Sequence, residues 1–155
     1  MKAQIRNSLF QVSEIKVSYQ LNFKASERPQ ISSSKNAYDI LIAGWDMHTI
    51  QMTESFKILI LNRSNRIIGM KEISSGGISG TVADPKVIFA IALKCLGSDI
   101  TCCHNHPSSN LKPSQQDLSI TNRLVEAGKI LDLPILDHLI ISKEGYYSFG
   151  DEGLI

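Results

Sequence analysis

Short strand-length runs at residues 56–61, 99–103 and 135–141 alternate with segments whose apolar residues recur at helical spacing, and this alternation restricts the fold more than any other feature. It calls for an α/β domain, a mixed sheet with flanking helices. From residue 36 to about 45, Ala37, Ile40, Leu41 and Gly44 mark a first helix. The run at 56–61 is followed by Asn62-Arg63-Ser64-Asn65, a turn, and by a second strand at 66–70. Gly76, Gly77 and Gly80 form a connection into Asp84-Pro85, an N-cap followed by proline at the first helical position. Val87, Ile88, Ile91, Ala92 and Cys95 give that helix one apolar stripe, which Gly97 ends. A third helix over 114–127 and strands at 135–141 and 146–149 complete the pattern. Ahead of it, Ile15, Val17, Tyr19, Leu21 and Phe23 alternate with polar residues, the period of a strand with one buried face. A polar stretch with Pro29 and three consecutive serines follows. The chain therefore divides into a strand-bearing arm and linker at 1–32 and one compact domain at 33–155.

At 155 residues and 43% hydrophobic composition the chain can bury one core. Sixteen basic and 15 acidic side chains leave a net charge of +1, which does not support the broad positive field that gathers nucleic-acid backbones. Residues 1–10 lack an apolar run long enough for a signal peptide, and no segment approaches the roughly 20 apolar residues of a membrane span. Cys95, Cys102 and Cys103 are an odd set without a C-x-x-C pair, which suits a reducing compartment. A cytoplasmic protein with no membrane contact is expected.

Chemistry concentrates in His104-Asn105-His106-Pro107 and in Ser114 and Asp117. Two histidines at i and i+2 at a strand end project to one side, so their imidazoles can converge on one ion, and Asp117 adds an oxygen. Three such ligands leave the fourth tetrahedral position of Zn2+ to water, as in hydrolytic rather than structural sites. Zinc lowers the pKa of a bound water to about 7, and a nearby carboxylate can take its proton. Plainer readings exist for the same residues. Ser114-x-x-Asp117 after Pro113 is also a helix start with a capping serine and a first-turn acid, and two histidines beside a proline also suit a polar loop.

The string H-x-H, seven residues, then S-x-x-D resembles the JAMM signature of the JAB/MPN metalloproteases, and His-Asn-His-Pro-Ser is similar to their bacterial RadC-like branch. The likeness extends from about residue 33 to the end, through Asp84-Pro85, Leu136-Asp137-His138 and Tyr146-Tyr147-Ser148-Phe149. It implies a JAB/MPN-like (cytidine-deaminase-like) layer architecture. It also implies zinc held by His104, His106 and Asp117, with Ser114 helping to stabilise an oxyanion and an upstream glutamate activating the water. The activity implied is that of a metallopeptidase or isopeptidase with a protein or peptide substrate. Longer RadC proteins carry a helical N-terminal region, sometimes linked to DNA repair, where this chain has its arm. The competing expectation is accordingly an accessory protein of DNA repair or mobile elements, whose metal site acts on another substrate or only binds.

The family places its glutamate at the start of the strand after the first helix, where Glu54 stands two residues ahead of the 56–61 run. Glu72, read as lying beyond the second strand, is the other candidate, and the need to reach the water favours Glu54. Where the branch has glycine, this chain has Ser109, which adds strain if the backbone there requires a positive φ. His138 reads as a hydrogen-bonded structural group rather than a fourth ligand, His48 as surface, and Cys102 and Trp45 as packing.

Overall fold

The computed structural model describes residues 13–20, 22–76 and 81–155. Its centre is a five-stranded mixed sheet. β1 (Glu54–Leu61) lies between β2 (Ile67–Gly76) and β3 (Asp99–Asn105), antiparallel to both. On the far side β3 runs parallel to β4 (Ile135–Ile141), and β5 (Tyr146–Ser148) pairs antiparallel with β4. The order is β2-β1-β3-β4-β5. A parallel pair needs a crossover, and α3 (Gln115–Ile130) supplies it between β3 and β4.

Helices cover both faces. Phe56, Ile58 and Ile60 of β1 point to the side where Ile88, Phe89 and Ala92 of α2 (Pro85–Lys94) and Leu124 of α3 are buried. Leu59 and Leu61 point the other way, onto Ala37 and Leu41 of α1 (Ser34–Ala43) and onto Trp45. This is the expected α/β architecture. Its helices start at side-chain caps: Ser33 accepts from the Asn36 amide at 3.1 Å, and Asp84 accepts from the Lys86 amide at 2.9 Å ahead of Pro85. Gly97, just past α2, is required by a close approach, because a Cβ there would meet Ile60 Cγ2 at 2.4 Å. No helix among the described residues is long and apolar enough to cross a membrane.

Two expectations are corrected. The alternating segment at 15–23 forms no strand in its described residues, and Ile15 and Phe23 are 88% and 70% exposed. Period-two alternation defines a face but supplies no hydrogen-bonding neighbour, and a strand exists only with both. Its described tie to the sheet is a hydrogen bond from the Tyr19 hydroxyl to the Ile68 carbonyl. Leu21 lies outside the described residues, as do Gly77 and Gly80 of the glycine-rich connection. The second correction concerns β2, which continues past residue 70 to Gly76, so Glu72 lies within it. Lys71, Ser74 and Ser75 carry no apolar signal because this is an edge strand, where polar residues are ordinary.

Candidate metal centre

β3 pairs antiparallel with β1 and parallel with β4, and the site lies at its carboxyl end, the end of the strands at which open α/β sheets place their ligands. His104 is the penultimate residue of β3, on the face covered by α2 and α3 and beside Phe56 of β1. His106 follows the strand, its amide donating to the Ile141 carbonyl at 3.1 Å. Asp117 sits in the first turn of α3, where the crossover begins. The fold thus brings together residues from a strand end and a helix start.

Their ligating atoms converge. His104 Nε2 lies 3.0 Å from His106 Nε2 and 3.1 Å from one Asp117 oxygen, and His106 Nε2 lies 3.5 Å from the other. A tetrahedral ion bound at about 2.0–2.1 Å separates its ligand atoms by about 3.3 Å, so the three positions fit such an ion. The chemistry of the donors agrees with the spacing. His106 Nδ1 donates to the Asn110 carbonyl at 2.5 Å, leaving its Nε2 lone pair directed at the cluster. Two ring nitrogens and a carboxylate facing one point repel unless a proton or a metal ion lies among them. Burial alone would raise the Asp117 carboxyl, but with a proton among the three groups its hydrogen bonds with His104 and His106 outweigh burial and hold it well below the usual carboxylate range. The bond to Asp117 raises His106 against the opposing effect of burial. His104, His106 and Asp117 are therefore a group able to hold a metal ion.

The group lines a cleft of about 440 Å³, together with Glu54, Ser114 and the apolar side chains of Val82 and Ile120. Glu54 is the first residue of β1 and shares the face of Phe56. Glu72 does not join the cleft. It pairs across the sheet with Lys57 at 3.8 Å, on the side where Lys57 Nζ sits 4.1 Å above the Trp45 ring. Of the two glutamates, the fold brings only Glu54 to the cluster.

Ser114 is the N-cap of α3. Its Oγ accepts from the Asp117 amide at 3.1 Å and donates to an Asp117 carboxylate oxygen at 2.7 Å, while the Ser114 amide donates to the same oxygen at 2.7 Å. The capping reading and the proximity to the cluster hold together. His138 is fully buried, 2.8 Å from His104 Nδ1, and burial above all depresses its pKa well below the ordinary histidine value. His48 is exposed, while Cys102 and Trp45 are in the core.

Two contributors escaped the sequence reading. The side chain of Asn105 accepts from the Ser55 amide at 2.8 Å and donates to the Ile50 and Thr53 carbonyls at 2.7 and 2.9 Å, fixing the approach to Glu54. Its signal was present, since the residue between two same-face histidines on a strand must face the opposite side. Thr121 bonds both His138 and the Asp117 carbonyl. Its only signal was its place four residues after Asp117, on the same face of α3.

Ser109 adopts φ 61°, closing a turn in which its amide donates to the His106 carbonyl at 2.9 Å. A non-glycine residue in this region costs about 1–2 kcal/mol, and glycine returns about 0.5–1 kcal/mol of that as lost chain entropy. Ser109→Gly is therefore expected to stabilise the fold by about 0.5–1 kcal/mol, measured by denaturant unfolding; an unchanged or lower stability would show that the serine carries no strain.

Residues 31–154 match the RadC-like JAB domain family. The chain is 46% identical over 127 residues to a UPF0758 protein of Flavobacterium johnsoniae, covering 81% of this chain and 53% of that protein. It is 45% identical over 103 residues to a UPF0758 protein of Porphyromonas gingivalis, 66% of this chain and 45% of that one. A UPF0758 protein of Clostridium botulinum is 36% identical over 133 residues, 86% and 57% of the two chains. The chain thus spans about half the length of these curated relatives.

Proposed function

This chain belongs to the RadC-like JAB domain family, and on that premise we propose that it is a zinc-dependent hydrolase of amide bonds, a metallopeptidase or isopeptidase acting on a protein or peptide. The observation that carries the reading is the convergence of His104, His106 and Asp117 at separations of 3.0–3.5 Å beside an open cleft. Three ligands from imidazole and carboxylate, with the remaining direction open, are the composition of catalytic zinc sites. Zinc bound there would supply a Lewis acid and a water that ionises near neutral pH.

The rest falls to side chains. Glu54, at the mouth of β1 in the same cleft, takes the proton of the attacking water and returns it to the leaving nitrogen. Ser114 turns its hydroxyl from Asp117 toward the carbonyl oxygen and donates to it as negative charge develops. Val82 and Ile120 give the cleft an apolar wall against which a substrate side chain packs and from which water is displaced.

The test pairs metal analysis with cleavage. Protein purified without chelators under zinc-replete conditions is expected to hold about one zinc per chain, and a peptide and isopeptide library is expected to yield cleaved members. His104→Ala combined with His106→Ala removes both. Absence of zinc in the unsubstituted protein, or zinc unchanged in the double variant, would falsify the site.

A further inference from the structure

Behind the ligands, on the side away from the cleft, a buried file of polar groups connects one ligand to another. His104 Nδ1 lies 2.8 Å from His138 Nε2, His138 Nδ1 lies 2.7 Å from Thr121 Oγ1, and Thr121 Oγ1 lies 2.6 Å from the Asp117 main-chain oxygen. His104, His138 and Thr121 are all 1% exposed or less, so water does not complete the file.

Counting protons along it leaves one solution. A carbonyl oxygen only accepts, so the single hydroxyl proton of Thr121 goes to Asp117. The Thr121 oxygen must then accept, and the proton between it and His138 belongs to His138 Nδ1. A neutral imidazole has one N–H, so His138 Nε2 is an acceptor, and the proton on that bond comes from His104 Nδ1. His104 is left with its Nε2 lone pair directed at His106 and Asp117. Both nitrogens of His138 are engaged in this way, which removes it as a fourth ligand.

We infer that His138 and Thr121 are positioning residues that hold His104 in the one tautomer able to ligate through Nε2, and that tie this choice to the helix carrying Asp117. The inference rests on the proposed metal centre and deepens it. Imidazole ligands generally donate their second N–H to an acceptor that fixes ring and tautomer; here the acceptor is a second histidine, whose own tautomer must first be set. Thr121 sets it. A packing role alone would look different. His138 stacks on Phe149 at 5.0 Å and meets Phe56 edge-on at 5.4 Å, so an aromatic hydrocarbon in its place would satisfy packing and leave His104 Nδ1–H without an acceptor.

The experiment measures zinc affinity by chelator competition and imidazole protonation by 15N-resolved NMR, on the full chain. His138→Phe is expected to weaken zinc binding about 10- to 100-fold, the usual effect of losing such a partner. His138→Gln, whose amide oxygen accepts near the position of Nε2, restores most of the affinity. Thr121→Val weakens binding and Thr121→Ser does not, which decides the matter even if His138→Phe fails to fold. Spectra of the zinc-loaded unsubstituted protein show His104 and His138 protonated at Nδ1. Unchanged affinity in both His138→Phe and Thr121→Val, or a proton on His138 Nε2, would overturn the inference. If the unsubstituted protein binds no zinc, the proposed function fails, and the His138 tautomer, read in the metal-free protein, still decides for or against the relay.

Discussion

Glu54→Gln is expected to keep about one zinc per chain and the fold while lowering turnover by about 10²–10⁴-fold. Glutamine preserves length and volume but accepts no proton at its nitrogen, so the substitution removes base strength and little else. Glu54 is not one of the three converging ligands, and it occupies the first position of β1, only partly buried, where the swap disturbs no core contact. Glu72→Gln is the internal control. That side chain pairs with Lys57 on the opposite face of the sheet and should leave turnover unchanged. Metal content and kcat measured on the two variants decide the assignment: loss of turnover in Glu72→Gln with retention in Glu54→Gln would reverse it.

Ser114→Gly should lower kcat by about 10²–10³-fold, the effect of removing one oxyanion donor, while costing only a few tenths of a kcal/mol in stability. Glycine is the informative choice because it remains a tolerable N-cap, whereas alanine would mix the loss of the hydroxyl with a capping cost of about 0.5–2 kcal/mol. Aspartate, a good cap in isolation, is a poor one at this position. Its carboxylate would replace a hydroxyl that donates to Asp117 at 2.7 Å, setting two negative groups against each other. Ser114→Thr keeps both hydroxyl and cap and should retain most of the activity. Unfolding midpoint, zinc content and kcat on one preparation separate the roles, and a Ser114→Gly protein with near-full turnover would reduce the serine to a helix cap.

The central strands and helix starts were legible because each rests on a local signal. Phe56, Ile58 and Ile60 form an apolar run that only burial explains, and Asp84-Pro85 and Ser114-x-x-Asp117 are caps whose geometry follows from sequence alone. The convergence of His104, His106 and Asp117 was legible for a similar reason. Strand parity puts the histidines on one side, and the crossover returns α3 to the end of the same strand. Less local facts were not readable. Whether 15–23 pairs with anything depends on a partner elsewhere in space, and the extent of β2 depends on ladder bonds to β1 that its polar residues do not announce. The relay through His138 and Thr121 joins β3, β4 and α3, and no spacing within one element encodes it.

Asn105 gives the site a property that matters for protein engineering. The stretch 104–117, which bears His104, His106 and Asp117, looks like a portable cassette, short and self-contained. Yet the residue between its histidines clasps Ile50, Thr53 and Ser55, the chain leading into and past Glu54. Transplanting 104–117 into a foreign sheet would carry His104, His106 and Asp117 and leave the carboxylate's support behind, with both polar side-chain atoms of Asn105 buried and unmatched in the new host. The smallest unit that brings this support along is discontinuous, 50–56 together with 104–117, on two adjacent antiparallel strands in the Phe56–His104 register, and holding the His104 tautomer calls for His138 of β4 and Thr121 of α3 besides.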